Sequence, residues 1–130
     1  MRTLIVEDDF TNRLLLQSLL ARYGECHVAV NGIEAVEAFR LAQARGREYN
    51  LICMDLTMPE MDGHQAVQEI RRLEKATRLL PSDPVTIVVT TASNDGSNVC
   101  MAQQEGCDGY LLKPLDARRL RAFLRERGLV

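Results

Sequence analysis

Apolar and polar positions alternate in blocks along this chain. Short apolar runs of strand length cover Leu4 to Glu7, Cys26 to Val30, Leu51 to Asp55, Val85 to Thr91 and Gly109 to Leu112. Between them lie segments whose apolar residues recur at helical spacing. After the first run come Leu15, Leu16, Leu19, Leu20 and Tyr23, and Gly24 closes the helix. After the second, Asn31 and Glu34 form a capping pair, followed by a buried stripe of Ile33, Val36, Phe39 and Ala42. A helix from His64 to Lys75 faces inward through Val67, Ile70 and Leu73, and Pro81 and Pro84 prevent its continuation. A modest helix over Asn94 to Gln104 and a last one over Ala117 to Arg127, closed by Gly128, complete five strand-helix pairs. Strict alternation of this kind predicts an α/β fold with a parallel sheet and helices on both faces.

The ends of the predicted strands carry the chemistry. Glu7, Asp8 and Asp9 end the first run, Asp55 ends the third, and Lys113 follows the fifth. Residues just past the carboxyl ends of parallel strands converge on one crevice, so several acids and one cation are expected together. Two carboxylates about 5 Å apart repel by about 3 kcal/mol at an effective dielectric of about 20. A divalent cation is the simplest reason for such a cluster to exist.

Composition narrows the field. At 130 residues the chain fits one domain, residues 1–130, with enough core to dispense with disulfide or metal staples. Its formal charge of −2 gives no global field for nucleic acid or an anionic membrane. The four cysteines, Cys26, Cys53, Cys100 and Cys107, lack metal-ligand spacing and read as small core residues in a reducing compartment. His27 and His64 likewise lack ligand spacing. No apolar stretch reaches membrane-span length and the amino terminus is no signal peptide, so a cytoplasmic protein is expected.

Four motifs stand in order at successive strand ends. They are Val6-Glu7-Asp8, the run Met54-Asp55-Leu56-Thr57-Met58-Pro59-Glu60-Met61-Asp62-Gly63, Thr90-Thr91-Ala92, and Gly109-Tyr110-Leu111-Leu112-Lys113-Pro114. Together they resemble the receiver domain of two-component response regulators, over essentially the whole chain. The resemblance implies a five-stranded flavodoxin-like sheet of order 2-1-3-4-5 and a phosphorylation-dependent signalling switch rather than a turnover enzyme. It implies that Asp55 accepts a phosphoryl group from a sensor histidine kinase or a histidine phosphotransfer protein. By that pattern Mg²⁺ is held by Asp8, Asp55 and the Thr57 carbonyl, with Glu7 acting mostly through water. Lys113 would set its ammonium on Asp55, and Thr91 would donate to the phosphoryl group.

Three acids in a row leave two metal registers open, Glu7 with Asp8 or Asp8 with Asp9, and the strand pattern favours the first. Tyr110 reads as a core aromatic, to which the resemblance adds a rotamer that turns inward when Thr91 moves. The downstream target is an unknown protein. A Mg²⁺-dependent phosphohydrolase with an aspartyl nucleophile is the alternative, but its usual second Asp would stand where Thr57 is. A flavin carrier of similar topology would meet Glu7, Asp8 and Asp9 where its phosphate loop belongs. The basic last helix, with Arg118, Arg119, Arg121, Arg125 and Arg127, reads as a solvated face or an acidic-partner surface.

Overall fold

The structure, a computed structural model, describes residues 1–56, 63–77, 84–91 and 106–130. Its strands are β1 (Arg2–Val6), β2 (Glu25–Ala29), β3 (Leu51–Asp55), β4 (Thr86–Thr91) and β5 (Gly109–Leu112). Its helices are α1 (Phe10–Leu20), α2 (Gly32–Ala44), α3 (Gly63–Thr77) and α4 (Ala117–Glu126), with a short 3-10 turn at Ala21–Tyr23. All neighbouring strands run parallel, in the order β2-β1-β3-β4-β5. Fold class and strand order are those expected. The helix expected over Asn94 to Gln104 lies outside the described residues.

Side chains alternate across each strand, and the sheet therefore has two cores. On one face Leu4, Val6, Ile52, Met54, Ile87 and Val89 meet α2 and α3 through Ala35, Phe39, Val67 and Ile70. On the other, Ile5, Leu51, Cys53 and Val88 meet α1 and α4 through Leu16, Leu20, Leu120 and Leu124. Covering both faces explains why β1, β3 and β4 are buried along almost their whole length.

Three helices begin on a side-chain cap. Asp9 accepts from the Asn12 N–H, Asn31 from Glu34 and Asp116 from Arg119, each cap contributing about 1 kcal/mol. Gly24 follows the 3-10 turn at φ +145°, and a Cβ there would lie 2.0 Å from the Met1 carbonyl oxygen. No larger residue fits. In α2 the expected stripe is rotated: Ala35, Phe39 and Ala42 are buried, whereas Ile33 is 51% exposed. Phe39 dictates the rotation, since turning its ring into the core carries Ala35, one turn earlier, inward and Ile33 outward.

A second set of charges ties the opposite end of the sheet. Arg71 on α3 donates to Glu74 (2.7 Å), Asp108 (3.0 Å) and the carbonyls of Val85 and Gly106. Glu74 accepts from the Val85 N–H, and Asp108 from the Ile87 N–H and from Arg127. Glu74 is buried, and its carboxylate is tolerated there because charged and backbone donors replace lost water. Among the described residues no helix is long and apolar enough to cross a membrane.

Candidate functional site

The parallel ladder brings the predicted residues to one edge. Glu7 stands one residue beyond β1, and its N–H extends the pairing to the Ala29 carbonyl at 3.0 Å. Asp55 is the last residue of β3 and pairs in register with Thr90 of β4. Thr91 ends β4, and its carbonyl accepts from the Lys113 N–H at 2.8 Å. The Lys113–Pro114 peptide is cis. Thr57 and Ala92 lie outside the described residues.

Glu7, Asp8 and Asp55 each present a carboxylate oxygen within 4.8 Å of the others'. Glu7 is fully buried and Asp55 nearly so, while Asp8 faces solvent. The Lys113 ammonium donates to Glu7 Oε1 at 2.8 Å and lies 3.6 Å from Asp55 Oδ1. Its nearest carboxylate is thus Glu7 rather than Asp55. Glu7 has lost all contact with water and gains most from a charged donor. Burial opposes the Lys113 charge, but the Glu7 hydrogen bond and the fields of Asp55 and Glu7 outweigh it and hold the ammonium above its ordinary 10.5.

Glu7 Oε2 is buried without a hydrogen-bond partner among the described residues. An orphaned carboxylate oxygen beside two further carboxylates is a donor set for a hard cation, and it fits Mg²⁺. Asp9 is engaged elsewhere, since its side chain caps α1 at 2.9 Å from the Asn12 nitrogen. The acid that completes the cluster is therefore Asp8.

Two residues of this region escaped the sequence reading in whole or part. Arg13 donates to the backbone carbonyls of Glu7 (3.2 Å) and Asp8 (3.0 Å), clamping the acidic turn from one helical turn away. Gly63 packs so closely that a Cβ would lie 2.3 Å from the Asp55 carbonyl oxygen. Its place after the Asp55 turn was the available signal for it, whereas Arg13 had none. Thr91 is buried, but Tyr110 is 41% exposed, which corrects the expected core placement. β5 is an edge strand, and its alternation points Leu111 into the core shared by α1 and α4 and Tyr110 to the other face.

A model of the response regulator receiver domain matches residues 3–125. Over 131 residues the chain is 37% identical to hybrid signal transduction histidine kinase G of Dictyostelium discoideum, an alignment covering 98% of the chain and 4% of that kinase. It is 36% identical to the sensor histidine kinase GacS of Pseudomonas protegens, covering 98% of the chain and 13% of that protein. These relatives are thus far longer than the chain. Among solved structures, the co-crystal of the Saccharomyces cerevisiae histidine phosphotransfer signaling protein Ypd1 with the receiver domain of its downstream response regulator Ssk1 matches with a TM-score of 0.82 and 34% identity. That match covers 97% of this chain and 87% of the other. The receiver domain of the Pseudomonas aeruginosa sensor histidine kinase PA1611, with magnesium in its active site cleft, matches with a TM-score of 0.77 and 28% identity, covering 96% and 94%.

Proposed function

Because the chain belongs to the response regulator receiver domain family and so serves phosphotransfer signalling, we propose that Asp55 is its phosphoryl acceptor. The observation that carries this reading is the convergence of Asp55 with Glu7, Asp8 and Lys113. A phosphorus–oxygen bond forms to the Asp55 carboxylate while the phosphorus–nitrogen bond of a donor phosphohistidine breaks. Positioning and charge neutralisation dominate such a transfer. Asp8, Asp55 and the Thr57 carbonyl would hold Mg²⁺, with Glu7 acting mostly through water, and the ion would supply part of that neutralisation, as the magnesium in the PA1611 receiver suggests. Lys113 supplies the fixed part: its ammonium already lies 3.6 Å from Asp55 and is shared with Glu7. Thr91 donates its hydroxyl to the new phosphoryl oxygens.

The donor is a histidine kinase or a histidine phosphotransfer protein, by analogy with the Ypd1 complex. Phe10 and Leu14 of α1, 63% and 49% exposed, lie just beyond the acidic turn and offer it an apolar seat. Residues 1–130 act as one receiver unit in the cytoplasm, assisting their own phosphorylation and dephosphorylation without processing a metabolite. The output is a change of surface: Thr91 moves toward the phosphoryl group, Tyr110 turns inward from its exposed position, and an unidentified partner protein responds. Neither DNA nor a membrane is a target of this chain by itself.

The test is intact-mass measurement after incubation with Mg²⁺ and acetyl phosphate. The wild type should gain one phosphoryl group and Asp55→Asn none. Equal labelling of the variant would remove Asp55 from the role.

A further inference from the structure

Away from the acid site, the end of α1 with the 3-10 turn that follows it and the first turns of α4 enclose an open cleft of about 370 Å³. Its walls combine apolar Leu19, Tyr23 and Leu120 with three arginines, Arg22, Arg118 and Arg121. No acidic residue lines it. The arginines stand out because most others of the described chain are engaged. Arg2, Arg40, Arg71, Arg72, Arg119 and Arg127 pair with carboxylates, and Arg13 donates to backbone carbonyls. Among the described residues Arg118 and Arg121 have neither ion pair nor hydrogen bond, and Arg22 makes only a stack 5.5 Å from its neighbour Tyr23.

We propose that this cleft docks an acidic segment of a partner protein, with carboxylates on the three arginines and an apolar side chain against the partly exposed Leu19 and Tyr23. Charge selects the occupant, since three cations without counter-charges in a chain of net charge −2 form a local complement to an acidic sequence. The same arithmetic disfavours nucleic acid, which needs a broad basic face rather than one cleft. The apolar wall distinguishes the site from a bare anion trap: arginine forks fix carboxylates, while a buried apolar anchor contributes the desolvated contact. No residue of the acid cluster lines the cleft, so it forms a second surface, separate from the phosphodonor seat.

The experiment titrates the unphosphorylated, isotopically labelled chain with a short synthetic peptide of alternating glutamate and leucine, read by amide NMR shifts. Two further probes are the same peptide with serine in place of leucine and a single-stranded oligothymidylate. Shifts should centre on Ser18 to Tyr23 and Ala117 to Arg121, and the double variant Arg118→Glu/Arg121→Glu should weaken binding by at least about tenfold. Arg118→Glu places an acid in the first turn of α4, where the helix dipole favours it, and Arg121→Glu lies just after that turn, away from the basic end of the helix. The control, Arg119→Glu/Arg125→Glu, changes net charge identically outside the cleft and should weaken binding less than about threefold. Equal loss in both double variants would overturn the site as diffuse charge attraction. Equal affinity for the serine peptide would overturn the apolar anchor, and tighter binding of oligothymidylate would overturn the protein partner. Because Asp55 is unmodified throughout, none of these outcomes bears on its role as acceptor.

Discussion

Replacing Lys113 with methionine isolates what holds the buried acid in place. At an effective dielectric of about 20, the 2.8 Å contact with Glu7 corresponds to about 6 kcal/mol of attraction and the 3.6 Å contact with Asp55 to about 5 kcal/mol. Opposing these, carboxylates within 4.8 Å repel by at least about 3.5 kcal/mol per pair. Desolvation of the lysine offsets much of the gross attraction, and removing one member of a buried pair lowers stability by about 3–5 kcal/mol. Lys113 keeps 18% of its side chain exposed, so the lower end, about 3 kcal/mol, is expected. With a urea slope of about 1.5 kcal/mol/M, the unfolding midpoint in EDTA should fall by about 2 M.

Metal should then act in the opposite sense. With three carboxylates and one ammonium the site carries a formal −2, and Lys113→Met leaves −3. The variant is therefore expected to bind Mg²⁺ more tightly while accepting phosphoryl groups poorly, and Mg²⁺ should narrow its stability deficit. Saturation at 100 times the dissociation constant stabilises a folded site by about 2.7 kcal/mol. Adding Glu7→Gln should recover more than half the deficit in EDTA, because the two positions are directly coupled. A deficit under about 1 kcal/mol in EDTA would refute the reasoning that the Lys113 contact holds the buried Glu7 side chain in place. A deficit that widened with Mg²⁺ would refute the acid cluster as the metal site.

Three other outcomes follow from single contacts. Burial pushes the Cys53 thiol up to about 12, so alkylation of native protein near pH 8 should label Cys26 and Cys107 and spare Cys53, as read by peptide mapping. Labelling of Cys53 at a comparable rate would contradict the packing of that core. Gly63→Ala forces a methyl group against the Asp55 carbonyl, and urea melts should show a loss of about 1–3 kcal/mol with slower acetyl phosphate labelling. The Lys113 ammonium is raised above 10.5, so its stabilisation is complete below that value and fades as pH climbs through the higher folded value. The stability gap between wild type and Lys113→Met should stay level from about pH 7 to 10 and shrink only beyond, whereas shrinkage near pH 8 would mean the lysine is not held by the acids.

The sheet and its acid edge were legible because each left a local mark. β3 and β5 have the bounds their apolar runs gave, β2, β4 and the last helix differ by one residue at one or both ends, and β1 begins two residues before its apolar run and ends one residue short of Glu7. The triple acid was ambiguous by one position because apolar patterning ends at Val6 and says nothing of direction beyond it. What settles the geometry is the cap: Asp9 sits where α1 needs an acceptor for the Asn12 N–H, leaving Asp8 to face Asp55. An Asp three residues before an Asn gives no such hint unless the helix start is already known.

The Arg71 cluster was illegible for a deeper reason. Glu69 with Arg72 and Arg71 with Glu74 are both pairs three residues apart on α3, and in sequence they look alike. The first is an exposed surface pair, screened by water and contributing little. The second is buried and extends to Asp108, 37 residues away, and through it to Arg127. The difference is a rotation of about 100° per residue around one helix, which carries Arg71 and Glu74 toward Val85 while Arg72 faces water. Ala66, Val67, Ile70 and the partly buried Leu73 fix that rotation, by turning the apolar stripe into the sheet. Read as a phase rather than a list of inward residues, the same stripe would have placed Glu74 beside it and flagged a buried acid in need of partners.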